Sequence, residues 1–243
     1  MLKPVFSTVA ILALITTAAC SNNNHGAYID IPAQPVDRLE LTAPASTDKI
    51  FQNSKISVIE VRLDPGQRLP AHTANERIIY ALTDGEILFT EGRNAWEEIF
   101  AAGEAHYHGR GIHAVQNITD TPIQFLIFER RRSSASAPDQ PDLAHADFDD
   151  ENNRITHLFA NSQARVSRVE LPAGEELKQR DALDRAVYAL SGYRVRYENE
   201  SGISDVRRHE AGSIHWHDAD RHTLVNVGDS TARFVVIEWS GGI

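Results

Sequence analysis

An internal repeat is the feature of this sequence that most constrains its fold. Residues 57–129 align with residues 165–238, with an offset of 108 that slips to 107 at Gly192 and becomes 109 from Gly212 onward. Two copies in one register indicate a tandem duplication. We therefore expect two successive domains of the same fold rather than one large domain.

The matching segments are short and dense. Tyr80-Ala81-Leu82 returns as Tyr188-Ala189-Leu190, and Phe125-x3-Glu129 returns as Phe234-x3-Glu238. The longest match contains most of the polar residues that the copies share: Gly103-x-x-His106-Tyr107-His108-x4-His113-x3-Asn117 corresponds to Gly212-x-x-His215-Trp216-His217-x4-His222-x3-Asn226. Because three histidines are retained in both copies, this segment is the first candidate for a site.

Each copy is predicted to consist of short strands. Runs such as residues 56–63, 78–82 and 123–128 have strand length, are rich in β-branched or aromatic residues, and are bounded by Gly, Asp or Pro. Helical periodicity is weak throughout. The predicted fold class is all-β, with two small antiparallel barrels in tandem.

The two copies resemble the cupin superfamily, whose domains are double-stranded β-helix or jelly-roll barrels. The resemblance rests on a first motif, G-x5-H-x-H-x3/4-E-x6-G, and a second, G-x5-P-x-G-x2-H-x3-N. The matching residues are Gly66, His72, Gly85, Gly103, His113 and Asn117 in the first copy, and Gly174, Gly192, Gly212, His222 and Asn226 in the second. This resemblance implies a tandem bicupin.

The metal ligands that the resemblance implies are incomplete. Metal-dependent cupins use two histidines and a glutamate of the first motif and one histidine of the second. Copy one keeps His72 and His113, whereas the other two positions hold Ala74 and Ile78; copy two keeps only His222, with Arg180, Ala182 and Ala186 elsewhere. Glu76 is a candidate substitute, so His72, Glu76 and His113 are the predicted ligands of one divalent ion (Fe, Mn, Ni or Zn) in the first barrel.

Other residues are candidates for binding a small organic ligand. His106 with His108, and His215 with His217, form His-x-His pairs whose rings fall on one face of a strand. His222 stands at a family ligand position. Arg180 could pair with a carboxylate or phosphate through its planar guanidinium. These six residues are the predicted ligand-binding set, with a polar barrel rim as the alternative for the histidine pairs.

The N-terminus predicts export to the bacterial envelope. Lys3 precedes a short apolar run that ends in small residues before Cys20, the single cysteine of the chain. Thr17-Ala18-Ala19-Cys20 resembles a lipoprotein lipobox, which implies an acylated Cys20, an outer-membrane anchor and a domain facing the periplasm; cleavage near Ala19 without lipidation is the alternative. The predicted organisation is a signal at 1–20, a tether at 21–50, barrels at 51–132 and 155–243, and a linker at 133–154.

Charge and motifs exclude several function classes. The formal net charge of −10 opposes binding to nucleic acid or to anionic lipid, so the lipid anchor is the only expected membrane contact. No nucleophile elbow occurs. Three hypotheses remain: a bicupin that binds a small organic molecule, a metal-dependent oxygenase or isomerase in the first barrel, and a structural second barrel that packs against the first or mediates homo-oligomer formation.

Overall fold

The structure, a computed structural model, describes residues 45–131 and 154–240. Within these ranges the chain contains strands and no helix, and no helix there is long and apolar enough to cross a membrane. The predicted signal, Cys20, most of the tether and nearly all of the linker lie outside the described residues. The all-β prediction is confirmed.

Each half of the chain forms nine strands in the same order. The first half contains β1 (Ser46–Gln52), β2 (Ile56–Leu63), β3 (Arg68–Ala74), β4 (Arg77–Ala81), β5 (Gly85–Glu91), β6 (Asn94–Phe100), β7 (Ala105–His108), β8 (Gly111–Asn117) and β9 (Ile123–Arg130). The second half contains β10 (Ile155–Ala160), β11 (Ala164–Leu171), β12 (Glu176–Ala182), β13 (Arg185–Ala189), β14 (Tyr193–Asn199), β15 (Ser204–His209), β16 (Ile214–His217), β17 (Asp220–Asn226) and β18 (Ala232–Trp239). Since β1 begins at Ser46, the first barrel starts before residue 51, where the tether was predicted to end.

Each barrel is made of two antiparallel sheets. In the first barrel the strand orders are β1-β2-β9-β4-β7 and β3-β8-β5-β6, and the second barrel repeats them as β10-β11-β18-β13-β16 and β12-β17-β14-β15. One apolar cluster fills each interior, around Phe125 in the first barrel and Phe234 in the second. The duplicated sequence therefore gives a duplicated two-sheet barrel.

The five-stranded sheets of the two barrels pack against each other. Their outer faces share one apolar cluster that includes Ile78 and Phe128 from the first barrel and Ile237 from the second. Tyr80 lies against its own repeat counterpart Tyr188, with ring centroids 6.2 Å apart. This face is buried between the barrels, so any site open to small molecules must lie elsewhere.

Residues retained in both copies include structural turns. Asn117 is fully buried and donates from Nδ2 to the carbonyls of Leu63 and Thr121, at 3.0 and 2.8 Å. Its counterpart Asn226 makes the same pair of bonds to Leu171 and Ser230, both at 2.8 Å. The asparagine of the second motif thus ties two loops together, because an unsatisfied buried amide would be costly.

Candidate functional site

The retained histidines of the first copy lie inside its barrel. Alternation along β7 turns His106 and His108 inward, whereas Tyr107 faces the second barrel and stacks on Phe159 at 6.1 Å. His108 and His113 both stack on Phe89, with centroids 5.0 and 4.9 Å from it. The turn between β7 and β8 therefore keeps all three imidazoles in one interior.

The second barrel repeats this arrangement with other neighbours. His217 and His222 both stack on Tyr197, at 6.3 and 5.1 Å. Tyr197 is equivalent to Phe89 of the first barrel. Each lies two residues after the residue that pairs with the retained asparagine on the neighbouring strand. His215 lies beneath His209, with centroids 3.9 Å apart.

An arginine occupies the centre of each barrel. Arg77 Nη2 lies 3.1 Å from both ring nitrogens of His113, and Nη1 donates to the carbonyls of Asn75 and Gly109. In the second barrel Arg185 Nη2 lies 3.0 Å from an oxygen of Asp220 and 3.4 Å from Nδ1 of His222. Both arginines are almost completely buried. Arg77 and Arg185 were missed as interior residues by the sequence analysis, although both copies retain them.

These guanidinium groups oppose a metal ion. A guanidinium can only donate hydrogen bonds, so the His113 nitrogen that would bind a metal faces a fixed cation instead. Burial, together with the positive charge of Arg77, lowers the pKa of His113 to about 3. Within the described parts of the chain no three His, Cys, Asp or Glu residues gather as a metal site. The residues present do not fit the divalent ion of the family.

Glu76 lies on the wrong face to act as a ligand. It shares the face of Ile78 and Tyr80, as its spacing predicts, but this face packs between the barrels and not into the interior. Its carboxylate is 3.6 Å from Arg130. His72 does lie beside His113, at 4.4 Å between ring centroids. The predicted set of His72, Glu76 and His113 therefore comes together only in its two histidines.

The inward-facing rings of His106 and His108 form the histidine wall of the first barrel, and a carboxylate contacts both of them. Glu98 Oε1 lies 3.0 Å from Nδ1 of His106 and 3.5 Å from Nε2 of His108. Burial by itself would raise the pKa of Glu98, but hydrogen bonds and charge from the two imidazoles outweigh it and hold the pKa well below its usual range. Glu98 is not among the residues predicted from the sequence.

The second barrel has an arginine where the first has Glu98. Glu98 lies opposite Ile87, and Ile87 pairs with Asn117. In the second barrel Arg207 lies opposite Val195, which pairs with Asn226. Glu98 and Arg207 therefore stand at equivalent positions and carry opposite charges. The Arg207 guanidinium lies over the Tyr197 ring at 4.1 Å and 3.3 Å from Asp205.

A cavity of about 550 Å³, counted together with its open mouth, lies inside the second barrel. Three cationic side chains line it, Lys178, Arg185 and Arg207. Imidazole, phenol and aliphatic groups complete the wall: His209, His215, His217, His222, Tyr193, Tyr197, Val187, Val195, Leu177, Leu224, Phe234 and Val236. An apolar cavity with a few convergent polar groups is typical of small-molecule sites.

His209, His215 and His217 of this wall are neutral at physiological pH. Burial lowers the pKa of His217 to about 3, with Arg185 and Arg207 contributing in the same direction. Burial likewise lowers the pKa of His215, and the neighbouring His209 and His217 add to the effect. Nδ1 of His215 is buried and has no hydrogen-bond partner among the described residues. One polar group on this wall is therefore unsatisfied.

The structure thus gathers three of the predicted ligand-binding residues, His215, His217 and His222, around one cavity. His106 and His108 lie at the equivalent place in the first barrel, where Glu98 meets them. Arg180, in β12, pairs through its backbone with His222 of β17. The side chain of Arg180 lies outside the described part of the structure.

Comparison with solved structures identifies the fold. A structure of AerE from Microcystis aeruginosa matches 83% of this chain and 95% of its own, at 14% identity and a TM-score of 0.59. A formate complex of oxalate decarboxylase from Lactobacillus farciminis matches 85% of this chain and 84% of its own, at 13% identity and a TM-score of 0.60. Oxalate decarboxylase from Bacillus subtilis, which has Mn(II) centres, matches 88% and 85%, at 12% identity and a TM-score of 0.56.

A scan of protein-family models gave no match, and neither did a search of curated protein sequences. The class that the two-sheet barrels and their structural neighbours define is the cupin fold. More particularly, the chain has two barrels of this fold in tandem, the duplication that the repeat predicted. At such low identity the neighbours establish the fold and leave the function to the chain's own residues.

Proposed function

We propose that this bicupin is a binding protein for a small organic carboxylate, which it holds in the cavity of the second barrel. One observation carries the proposal: Arg207, Arg185 and Lys178 converge on a cavity whose other walls are aromatic, aliphatic and neutral imidazole groups. Cations favour an anionic group, and the apolar walls favour an organic body rather than an inorganic anion. Asp220 and Asp205 balance part of this charge.

Thermal denaturation with defined carboxylates tests this proposal. Benzoate, phenylacetate and hexanoate are compared with benzamide at equal concentration. Ligands that bind only the folded state raise Tm, by an amount that grows with concentration. We expect the carboxylates to raise Tm and benzamide to leave it unchanged.

A matched pair of variants locates the effect. Arg207→Gln should remove the shift, whereas Arg208→Gln should keep it, because Arg208 is exposed on the next position of β15 and pairs with Glu210. If no carboxylate in the panel shifts Tm, or if both variants respond like the wild type, the proposed function is wrong.

A metal-dependent oxygenase or isomerase in the first barrel is the alternative that the resemblance implies. Arg77 at His113 and Glu76 on the outer face weigh against it. Elemental analysis of protein purified without a histidine tag separates the two functions. We expect well under one manganese, iron, nickel or zinc per chain; a near-stoichiometric metal that is lost in His113→Ala would favour the enzyme.

A purely structural second barrel is the third alternative. The shared apolar face does join the two barrels, and Lys55 adds ion pairs to Asp184 and Asp218 at 2.8 and 2.9 Å. The cavity lies inside the second barrel, away from that shared face. We therefore assign packing to one surface of this barrel and ligand binding to its interior.

The proposed location is the periplasmic side of the outer membrane, through lipid on Cys20. This proposal rests on the signal and lipobox residues of the sequence. Labelling of cells with a radioactive fatty acid should mark the protein, and Cys20→Ser should lose the label. A labelled Cys20→Ser variant would contradict the anchor.

A further inference from the structure

The two barrels share an inward His-x-His pair, and among the described residues only the pair of the first barrel, His106 and His108, has a carboxylate of its own chain within 4 Å; in the second barrel Asp220 pairs with His222 instead. Glu98 reaches His106 and His108 from β6. The equivalent strand of the second barrel, β15, carries Arg207 at that position. The wall formed by His215 and His217 therefore lacks the carboxylate that its counterpart holds.

We propose that Glu98 is a built-in occupant of the first barrel, and that it marks the place where the ligand carboxylate docks in the second. In this arrangement the ligand carboxylate lies against His215 and His217, and Arg207 supplies the positive charge. This inference rests on the proposed function for the second barrel, whereas its statement about the first barrel stands independently.

The atoms on the two walls support this assignment. Nδ1 of His106 meets Glu98 at 3.0 Å, and the same atom of His215 is buried without a partner among the described residues. A carboxylate only accepts hydrogen bonds, so the imidazole must present an N–H to it. A neutral His215 can carry its N–H on Nδ1, and a ligand carboxylate would then accept a hydrogen bond from this buried, unpartnered atom.

His209 packs against the ring of His215. Its ring stacks over His215 at 3.9 Å and lies on β15, two residues after Arg207. In the first barrel Phe100 takes the equivalent place and meets His106 edge-on, at 4.8 Å and 88°. The stacked His209 ring therefore borders the proposed docking place, as Phe100 borders His106 in the first barrel.

Chemical rescue tests the first-barrel statement. Acetate contains the same heavy atoms that Glu98→Ala removes, so it can refill the vacated place. We expect Glu98→Ala to lower Tm by about 5 °C, and acetate to restore at least half of this loss with saturation. Sodium chloride and acetamide should restore none of it.

Controls keep this test decisive. Glu97→Ala alters the exposed neighbour on β6 and should show no acetate effect beyond that of chloride. If Glu98→Ala does not fold by itself, rescue is measured instead as its refolding yield in sodium acetate compared with that in sodium chloride. Acetate that acts no better than chloride on Glu98→Ala would overturn the inference.

Benzoate titration by calorimetry tests the second-barrel statement. His215→Ala should weaken benzoate binding at least tenfold, and His217→Ala by a similar factor. If Arg207→Gln abolishes binding while both histidine variants bind like the wild type, the docking place is wrong and the proposed function survives. If the wild type binds no carboxylate while acetate rescues Glu98→Ala, the proposed function fails and the role of Glu98 stands.

Discussion

The interiors of the two barrels agree in most of their frame and differ in the charged residues that face it. Both have a central arginine, an inward His-x-His pair and a third histidine on the following strand. Glu98 completes this frame in the first barrel, and Arg207 stands at the same position in the second. The difference teaches that duplication has kept the histidine pair and reversed the charge of the residue that faces it, so that one copy pairs its histidines with its own carboxylate and the other, as we propose, leaves them to the carboxylate of a ligand.

Giving the second barrel the residue of the first should have the largest effect. In Arg207→Glu the new carboxylate can reach His215 and His217, as Glu98 reaches their counterparts. We expect benzoate affinity to fall at least 100-fold, because a like charge now occupies the docking place. Calorimetry measures the affinity.

The same variant shows whether the new carboxylate occupies the docking place itself or only removes the positive charge of Arg207. Arg207→Glu should keep or raise Tm, whereas Arg207→Gln should lose binding without a rise in Tm. A strongly destabilised Arg207→Glu, or one that still binds benzoate, would break the equivalence of the two walls.

The central arginines should differ in their contribution to stability. Arg185→Gln leaves Asp220 without its cation in a mostly buried site, although Tyr197 still donates a hydrogen bond to it. We expect this variant to lower the free energy of unfolding by about 3 kcal/mol. Arg77→Gln leaves neutral carbonyls and His113 without a donor, and should cost about 2 kcal/mol. Urea denaturation compares the two, and an equal or reversed order would contradict this account.

The pH dependence of ligand binding should be the smallest effect. The pKa of His217 is lowered to about 3 from an ordinary value of 6.5. A carboxylate beside it favours the protonated form and raises that pKa, so binding takes up protons and strengthens as the pH falls from 6.5 towards 5. The charged and titratable groups around His217 are Arg185, Arg207, Asp220, His222, His215 and Tyr197.

We expect benzoate to bind up to about tenfold more tightly at pH 5.5 than at pH 7.5. The stability of the ligand-free protein should depend on pH with the opposite sign, decreasing as the pH falls. Unfolded imidazoles bind protons below pH 6.5 while His217 and His113 in the folded protein do not, so stability is lost as the pH falls from 6.5 towards 3. Denaturation at several pH values, with and without benzoate, checks both signs; a ligand effect that does not change with pH would contradict the docking place.

The fold could be predicted from the sequence because it rests on local patterns. The repeat predicts duplication, and period-two alternation predicts strands such as β2, which runs from Ile56 to Leu63 as expected. Alternation also predicts that His106 and His108 face away from Tyr107. The sequence grouped Glu76 with Ile78 and Tyr80, but it could not show that the face of these two residues packs against another barrel.

The reversed charge could not be predicted, because it depends on register. The repeat offset shifts between Gly85 and Gly103, which hides the match between Glu98 and Arg207. Sequence alignment pairs Gly85 with Gly192, yet in the structure Gly85 lies opposite Phe100 and Tyr193 opposite His209. Only hydrogen-bonded pairing across the hairpins shows which side chains are equivalent.

A crystal structure with 4-bromobenzoate would test the central claim most directly, since anomalous scattering locates the bromine and the density locates the carboxylate. We predict one ligand per chain in the second barrel, with its carboxylate against His215 and His217 and within reach of Arg207. A ligand in the first barrel beside Glu98, or one on the outer surface with no occupancy of the cavity, would contradict the account.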